Sequence, residues 1–196
     1  MSYFDVFGLP RKLGIDAADL QTKFYELSRR WHPDYQQSAP AEEQVRALEQ
    51  SALVNAAYRA LRDPLARIDY LVRLEEGRDT REGATVKPEA PPELLEKIFE
   101  IQEALHEAKA GGLDAEGRGR LVAERDRLAA RQREEEARLG GELSAAWDAA
   151  TAGEQPAVLR LLKRALATRA YLRTVVDDLN AVLEESEEGD VAHHRH

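Results

Sequence analysis

The stretch Asp16-Ala17-Ala18-Asp19-Leu20-Gln21-Thr22-Lys23-Phe24-Tyr25-Glu26-Leu27-Ser28-Arg29-Arg30-Trp31-His32-Pro33-Asp34 decides how the chain is read. Asp16 has the side chain of a helix N-cap, and Asp19 puts a carboxylate in the first turn, where it favours the helix dipole. Leu20, Phe24, Leu27 and Trp31 recur at intervals of four, three and four, one apolar stripe over three turns. Pro33 stops the helix, because the residue before a proline is pushed out of helical geometry. Lys23, Arg29 and Arg30 fall opposite or beside the stripe and are expected in solvent. The segment is thus a short amphipathic helix with a basic face, closed by a His-Pro-Asp turn.

Outward from this stretch the periodicity stays helical, and the fold class expected is all-α. Tyr3–Pro10 reads as a short helix or turn ended by Gly8 and Pro10. Beyond the polar loop Pro33–Pro40, a helix is predicted over 41–62 with Ala47, Ser51, Val54, Tyr58 and Leu61 inward. Asp63-Pro64 is a cap followed by proline at the first helical position, which restarts a helix carrying Leu65, Ile68, Leu71 and Val72 and ending at Gly77. Residues 77–92 have linker composition. Three helices are expected over 93–110, 116–150 and 156–185, with Gly140-Gly141 a weak point in the middle one. The expected domains are 1–76, a linker 77–92, a three-helix bundle 93–185 and a disordered tail 186–196.

Composition narrows the function. The 196 residues include no cysteine, which removes disulfides, thiolate-ligated clusters and cysteine zinc sites from this chain. A formal net charge of −9 disfavours general nucleic-acid binding, and most of the excess acid lies beyond residue 76. No apolar run is long enough to span a bilayer, and the N-terminus lacks the basic and apolar regions of a secretory signal; a cytoplasmic location is expected. His193, His194 and His196 more often give adventitious ion binding than a site, so no metal and no cofactor are assigned.

The helix over 93–110 carries a second pattern. Leu94, Ile98, Ile101 and Leu105 share a narrow sector and face a core, whereas Leu95 and Phe99 fall off it, bordered by Glu96, Glu100, Glu103 and Glu107. The choice between a wide buried face and an outward apolar–acidic patch is even on pattern alone. In the last helix Val158, Leu162, Ala165, Leu172, Val176 and Leu179 make the core stripe, and Tyr171 is expected to project elsewhere. An exposed aromatic beside such a patch favours a binding surface.

Tyr3–Pro10, Trp31-His32-Pro33-Asp34 and Asn55-Ala56-Ala57-Tyr58-Arg59-Ala60-Leu61-Arg62-Asp63-Pro64, with Tyr70-Leu71 beyond, stand in an order and spacing that resemble a J domain. More narrowly they resemble the HscB family, the J-type co-chaperones of iron–sulfur cluster assembly. The resemblance covers nearly the whole chain and implies a J domain, a helical hairpin with flanking short helices, joined to a C-terminal three-helix bundle. It implies no enzymatic activity. It implies a DnaK/HscA-type ATPase chaperone as partner of His32, Pro33, Asp34, Lys23, Arg29 and Arg30, with Asp34 competing for a chaperone arginine. It implies an IscU-type iron–sulfur scaffold protein as partner of Leu95, Glu96, Phe99, Glu100, Glu103, Glu107 and Tyr171. The chain departs from the J-domain pattern at Tyr35, where lysine is usual, and at Glu96, where the family often has an apolar residue. Two alternatives stand beside this reading: a J-domain adaptor for another client, and a hydrolase in which His32 and Asp34 form an acid–base pair.

Overall fold

The computed structural model describes residues 1–36, 39–78, 99, 101–103, 106 and 114–193. Every regular element among them is helical. They are α1 (Tyr3–Val6), α2 (Ala17–Arg30), a 3-10 turn Pro33–Gln36, α3 (Ala41–Arg62), α4 (Pro64–Glu75), α5 (Ala115–Arg138), a π-helical turn Leu139–Leu143, α6 (Ser144–Ala149) and α7 (Gln155–His193). Phe99, residues 101–103 and His106 are helical as well.

The caps explain the helix ends. Ser2 and Asp5 form a reciprocal capping box on α1. Asp16 accepts from the Ala18 and Asp19 N–H groups at 2.8 and 3.1 Å, which fixes the start of α2. Asp63 accepts from the Ala66 N–H at 2.8 Å with proline at the first position of α4. Helices α1 and α4 both end in a left-handed glycine, Gly8 at φ 60° and Gly77 at φ 64°. The N–H beyond each glycine reaches back to a carbonyl of the last turn, Leu9 to Phe4 and Arg78 to Arg73, both at 2.9 Å.

Packing divides the chain into two compact units. The first is Met1–Val86 with Leu139–Lys163; the second is Lys87–Arg138 with Arg164–His196. This differs from the division expected from sequence, which kept 93–185 together as one bundle. The reason lies at the glycine pair. At Gly140-Gly141 the helix loosens into one π turn, with Ser144 Oγ donating to the Leu139 carbonyl at 2.6 Å. Leu139 and Leu143 at its two ends and Trp147 beyond it form an apolar stripe that is buried within the first unit. The last helix also runs on to His193, past the expected end near Glu185, since no proline interrupts it.

In the first unit α2 and α3 pack together, with Leu20, Val54, Ala57 and Leu61 buried. Leu20, Val54 and Leu61 each contribute roughly 1.5–3 kcal/mol by leaving water, and the Ala57 methyl less. Phe24 and Tyr58 stack across the two helices with ring centroids 4.0 Å apart. Tyr70, 1% exposed, stacks on Tyr3 at 4.6 Å, and its hydroxyl accepts from the Tyr3 N–H at 2.7 Å, tying α4 to α1. The segment around Trp147 closes the loop before α2. The Trp147 indole N–H donates to the Arg11 carbonyl at 3.2 Å, and Asp148 accepts from the Leu13 and Gly14 N–H groups. Glu76 bridges Lys163 at 2.5 Å and also pairs with Arg78.

In the second unit Ile101, Leu121, Leu128, Leu172, Val175, Leu179, Val182 and Leu183 form the core. Beside it Glu136 accepts from Arg169 Nε at 2.7 Å and from Gln132 Nε2 at 3.2 Å.

Candidate functional site

Helix α2 delivers the chain into the turn with its cationic end outermost. Arg29 and Arg30 are exposed in the last turn, where cations complement the helix dipole. The Arg30 guanidinium lies 5.1 Å from the Trp31 ring centroid, a cation–π contact. Lys23 is partly covered and paired to Asp19 at 2.9 Å, so it contributes a more neutralised point of charge than the sequence alone implies.

The turn itself is closed by local hydrogen bonds. The Tyr35 N–H donates to the His32 carbonyl at 3.1 Å, and the Asp34 N–H donates to His32 Nδ1 at 3.2 Å. The second bond requires Nδ1 to be the unprotonated ring nitrogen, leaving the proton on Nε2. Asp34 Oδ2 lies 3.6 Å from that same Nδ1, too far for a hydrogen bond, and Nδ1 is already an acceptor. His32 therefore shapes the turn rather than pairing with Asp34. The Asp34 side chain is 72% exposed and faces solvent. Pro33 opens the 3-10 turn, which packs against α3.

This geometry does not make the acid–base pair of the hydrolase reading. Such a pair needs Nδ1–H donated to the carboxylate and a concave site around it. An open groove in this unit is lined by Ala17, Leu20, Gln21, Tyr58, Arg62, Asp63 and Pro64, and includes neither His32 nor Asp34. Among the described residues no three His, Asp or Glu side chains are grouped to hold a metal ion, and no helix is long and apolar enough to cross a membrane.

Of the second predicted set, Leu95, Glu96, Glu100 and Glu107 lie outside the described residues. Phe99 is 70% exposed while Ile101, two residues on, is buried in the core, so this helix has an outward apolar side chain as well as an inward one. Glu103 is exposed one turn from Phe99, and His106 continues the same face at the next turn. His106 was not singled out in the sequence, where a lone histidine on an acidic helix carries no signal of its own. Tyr171 departs from expectation: it is half-buried and packed against the core of the second unit. The stripe of α7 runs through Thr168, Leu172, Val175, Leu179 and Val182, with Val175 buried and Val176 only partly so. That rotation brings Tyr171 to the border of the buried face.

Residues 2–70 match the DnaJ domain family. Chaperone HscB from Vibrio cholerae has a similar structure, with a TM-score of 0.59 at 25% identity, covering 94% of this chain and 99% of that one. The human co-chaperone protein HscB is similar to the same degree, with a TM-score of 0.59 at 25% identity, covering 92% of this chain and 81% of that one.

Proposed function

We propose that the chain, whose residues 2–70 match the DnaJ domain family and whose structure is similar to those of two HscB co-chaperones, acts as a J-domain co-chaperone of the HscB type: it stimulates the ATPase of a DnaK/HscA-type chaperone and delivers an IscU-type iron–sulfur scaffold protein to it. The observation that carries the first half is the exposed Asp34 carboxylate, held in a closed turn directly after a basic helix end.

The division of labour follows from charge. Arg29, Arg30 and Lys23 steer the turn onto an acidic surface of the chaperone, raising the encounter rate more than the final affinity. Asp34 then takes a chaperone arginine in a carboxylate–guanidinium pair, which is directional as well as strong. Removing that arginine from its resting contacts releases ATP hydrolysis. His32 and the residues around it keep the Asp34 backbone in place; no bond to substrate is made or broken by this chain.

The scaffold half is supported by the exposed Phe99 with Glu103 beside it. An aromatic anchor rimmed by carboxylates is the composition of a protein-binding patch. Leu95, Glu96, Glu100, Glu107 and Tyr171 complete the proposed contact set. The cytoplasm is the proposed location.

The test is Asp34→Asn. The substitution keeps shape and the backbone hydrogen bond to His32 while removing the charge. It should abolish stimulation of the chaperone ATPase and leave the far-UV circular dichroism unchanged. Full stimulation by the folded variant would refute the proposal.

A further inference from the structure

Beside Asp34 the turn exposes a second side chain that the steering and arginine-capture roles do not use. Tyr35 is 69% exposed, more than any other aromatic in the first unit. It is not loose. Its N–H is bonded to the His32 carbonyl, and its ring meets the His32 ring edge-to-face at 5.8 Å and 65°. The imidazole that fixes the Asp34 backbone therefore also supports the Tyr35 ring. One residue thus holds an exposed carboxylate and an exposed aromatic ring next to each other on a four-residue turn.

We infer that Tyr35 is a specificity-determining contact of the docking turn, offering its ring to the side chain of the arginine that Asp34 captures; this rests on the function proposed above. The chemistry selects the ligand. Asp34 is the acidic group of the turn, so a cation is drawn there. A guanidinium is planar, and can take a carboxylate through its N–H fork while stacking its face on an aromatic ring; an ammonium cannot do both. A ring at this place adds attraction that is less sensitive to salt than a surface ion pair.

The experiment is a titration of chaperone ATPase stimulation with the full chain and with Tyr35→Phe and Tyr35→Leu. Asp34→Asn serves as the inactive reference, and circular dichroism confirms folding. Tyr35→Phe keeps the ring and should match the parent. Tyr35→Leu keeps apolar bulk but loses the ring, and should need about fivefold more protein for half-maximal stimulation. Parent-like titration by Tyr35→Leu would overturn the inference while leaving the proposed function intact. A parent chain that fails to stimulate, like Asp34→Asn, would overturn both.

Discussion

The carboxylate of Asp148 accepts a hydrogen bond from the Gly14 N–H at 2.7 Å, and its other oxygen accepts from the neighbouring Leu13 N–H at the same distance. Residues 134 and 135 positions apart in sequence are thus joined in one clamp just before α2 begins. Gly14 leaves room for this close approach: a Cβ would lie 2.9 Å from Asp148 Oδ2, so the carboxylate would have to shift. Arg67, 8% exposed, donates to the Leu61 carbonyl at 2.7 Å, and burial pulls its guanidinium pKa down while Asp148 and Asp63 pull it up.

Removing the clamp should be felt as stability. Asp148→Ala is expected to cost about 2 kcal/mol, the loss of two hydrogen bonds to a charged acceptor discounted for partial exposure. Gly14→Ala should cost about 1 kcal/mol by pushing the carboxylate aside. Urea unfolding followed by tryptophan fluorescence suits the test, since Trp147 is 3% exposed and adjacent. A midpoint unchanged in Asp148→Ala would show that the loop holds its shape without it.

Tyr70→Phe isolates a single hydrogen bond. The ring remains stacked on Tyr3 and tilted against Phe4, but the Tyr3 N–H loses its acceptor. The expected loss is about 1–2 kcal/mol with no change in helicity. Equal stability of the variant would mean that water satisfies that N–H.

Acid should weaken both units for the same reason. Burial raises the pKa of Glu76, but hydrogen bonds and charge from Lys163 and Arg78 outweigh it and hold the carboxyl below its usual range. Burial likewise raises Glu136, and Gln132, Arg169 and Arg173 more than offset it. A carboxylate whose folded pKa is depressed contributes stability that is fully present above its unfolded pKa and is lost as the pH falls through the folded one. Stability should therefore be level near neutrality and fall once the pH drops below the ordinary glutamate range. Glu76→Gln and Glu136→Gln should each lose a few tenths to about 1 kcal/mol at neutral pH and shallow that acid limb. An acid limb as steep in the double variant as in the parent would rule these two groups out as its source.

Phe99 and Leu95 are the residues to remove from the second patch. Leu95→Ala with Phe99→Ala should weaken binding of an IscU-type scaffold by roughly 2 kcal/mol or more, as central apolar anchors do. Because Phe99 is exposed, its truncation should leave unfolding stability nearly unchanged, and ATPase stimulation without scaffold should survive. Isothermal calorimetry with the parent affinity retained would refute the patch.

The parts of the fold legible in sequence are those fixed by local chemistry. Asp16, Asp63 and Pro64 set helix starts through caps, and Gly8 and Gly77 set helix ends through a backbone conformation that other residues avoid. The break at Gly140-Gly141 was legible as a weakness, though not as a π turn. The partners of Asp148 and Trp147 were not legible. Periodicity marks Leu139, Leu143 and Trp147 as a buried stripe, but it does not say against what, and the answer lies in the loop 11–14. Tyr171 was misplaced because the buried face keeps Leu172 and Leu179 but takes Val175 in place of Val176, a smaller turn of the face toward Tyr171 that makes an expected outward ring a half-buried one. At the turn, residue identity named His32 and Asp34, whereas their division into a shaping residue and an exposed carboxylate rests on which atom donates to Nδ1.

The central claim is tested most directly by steady-state ATP hydrolysis of a DnaK/HscA-type chaperone from the same source, with this protein added, in the presence and absence of the IscU-type scaffold. The account predicts stimulation by the protein alone, greater-than-additive stimulation with the scaffold, and neither with Asp34→Asn. Absence of stimulation by the folded parent chain, or stimulation that Asp34→Asn retains, would contradict it.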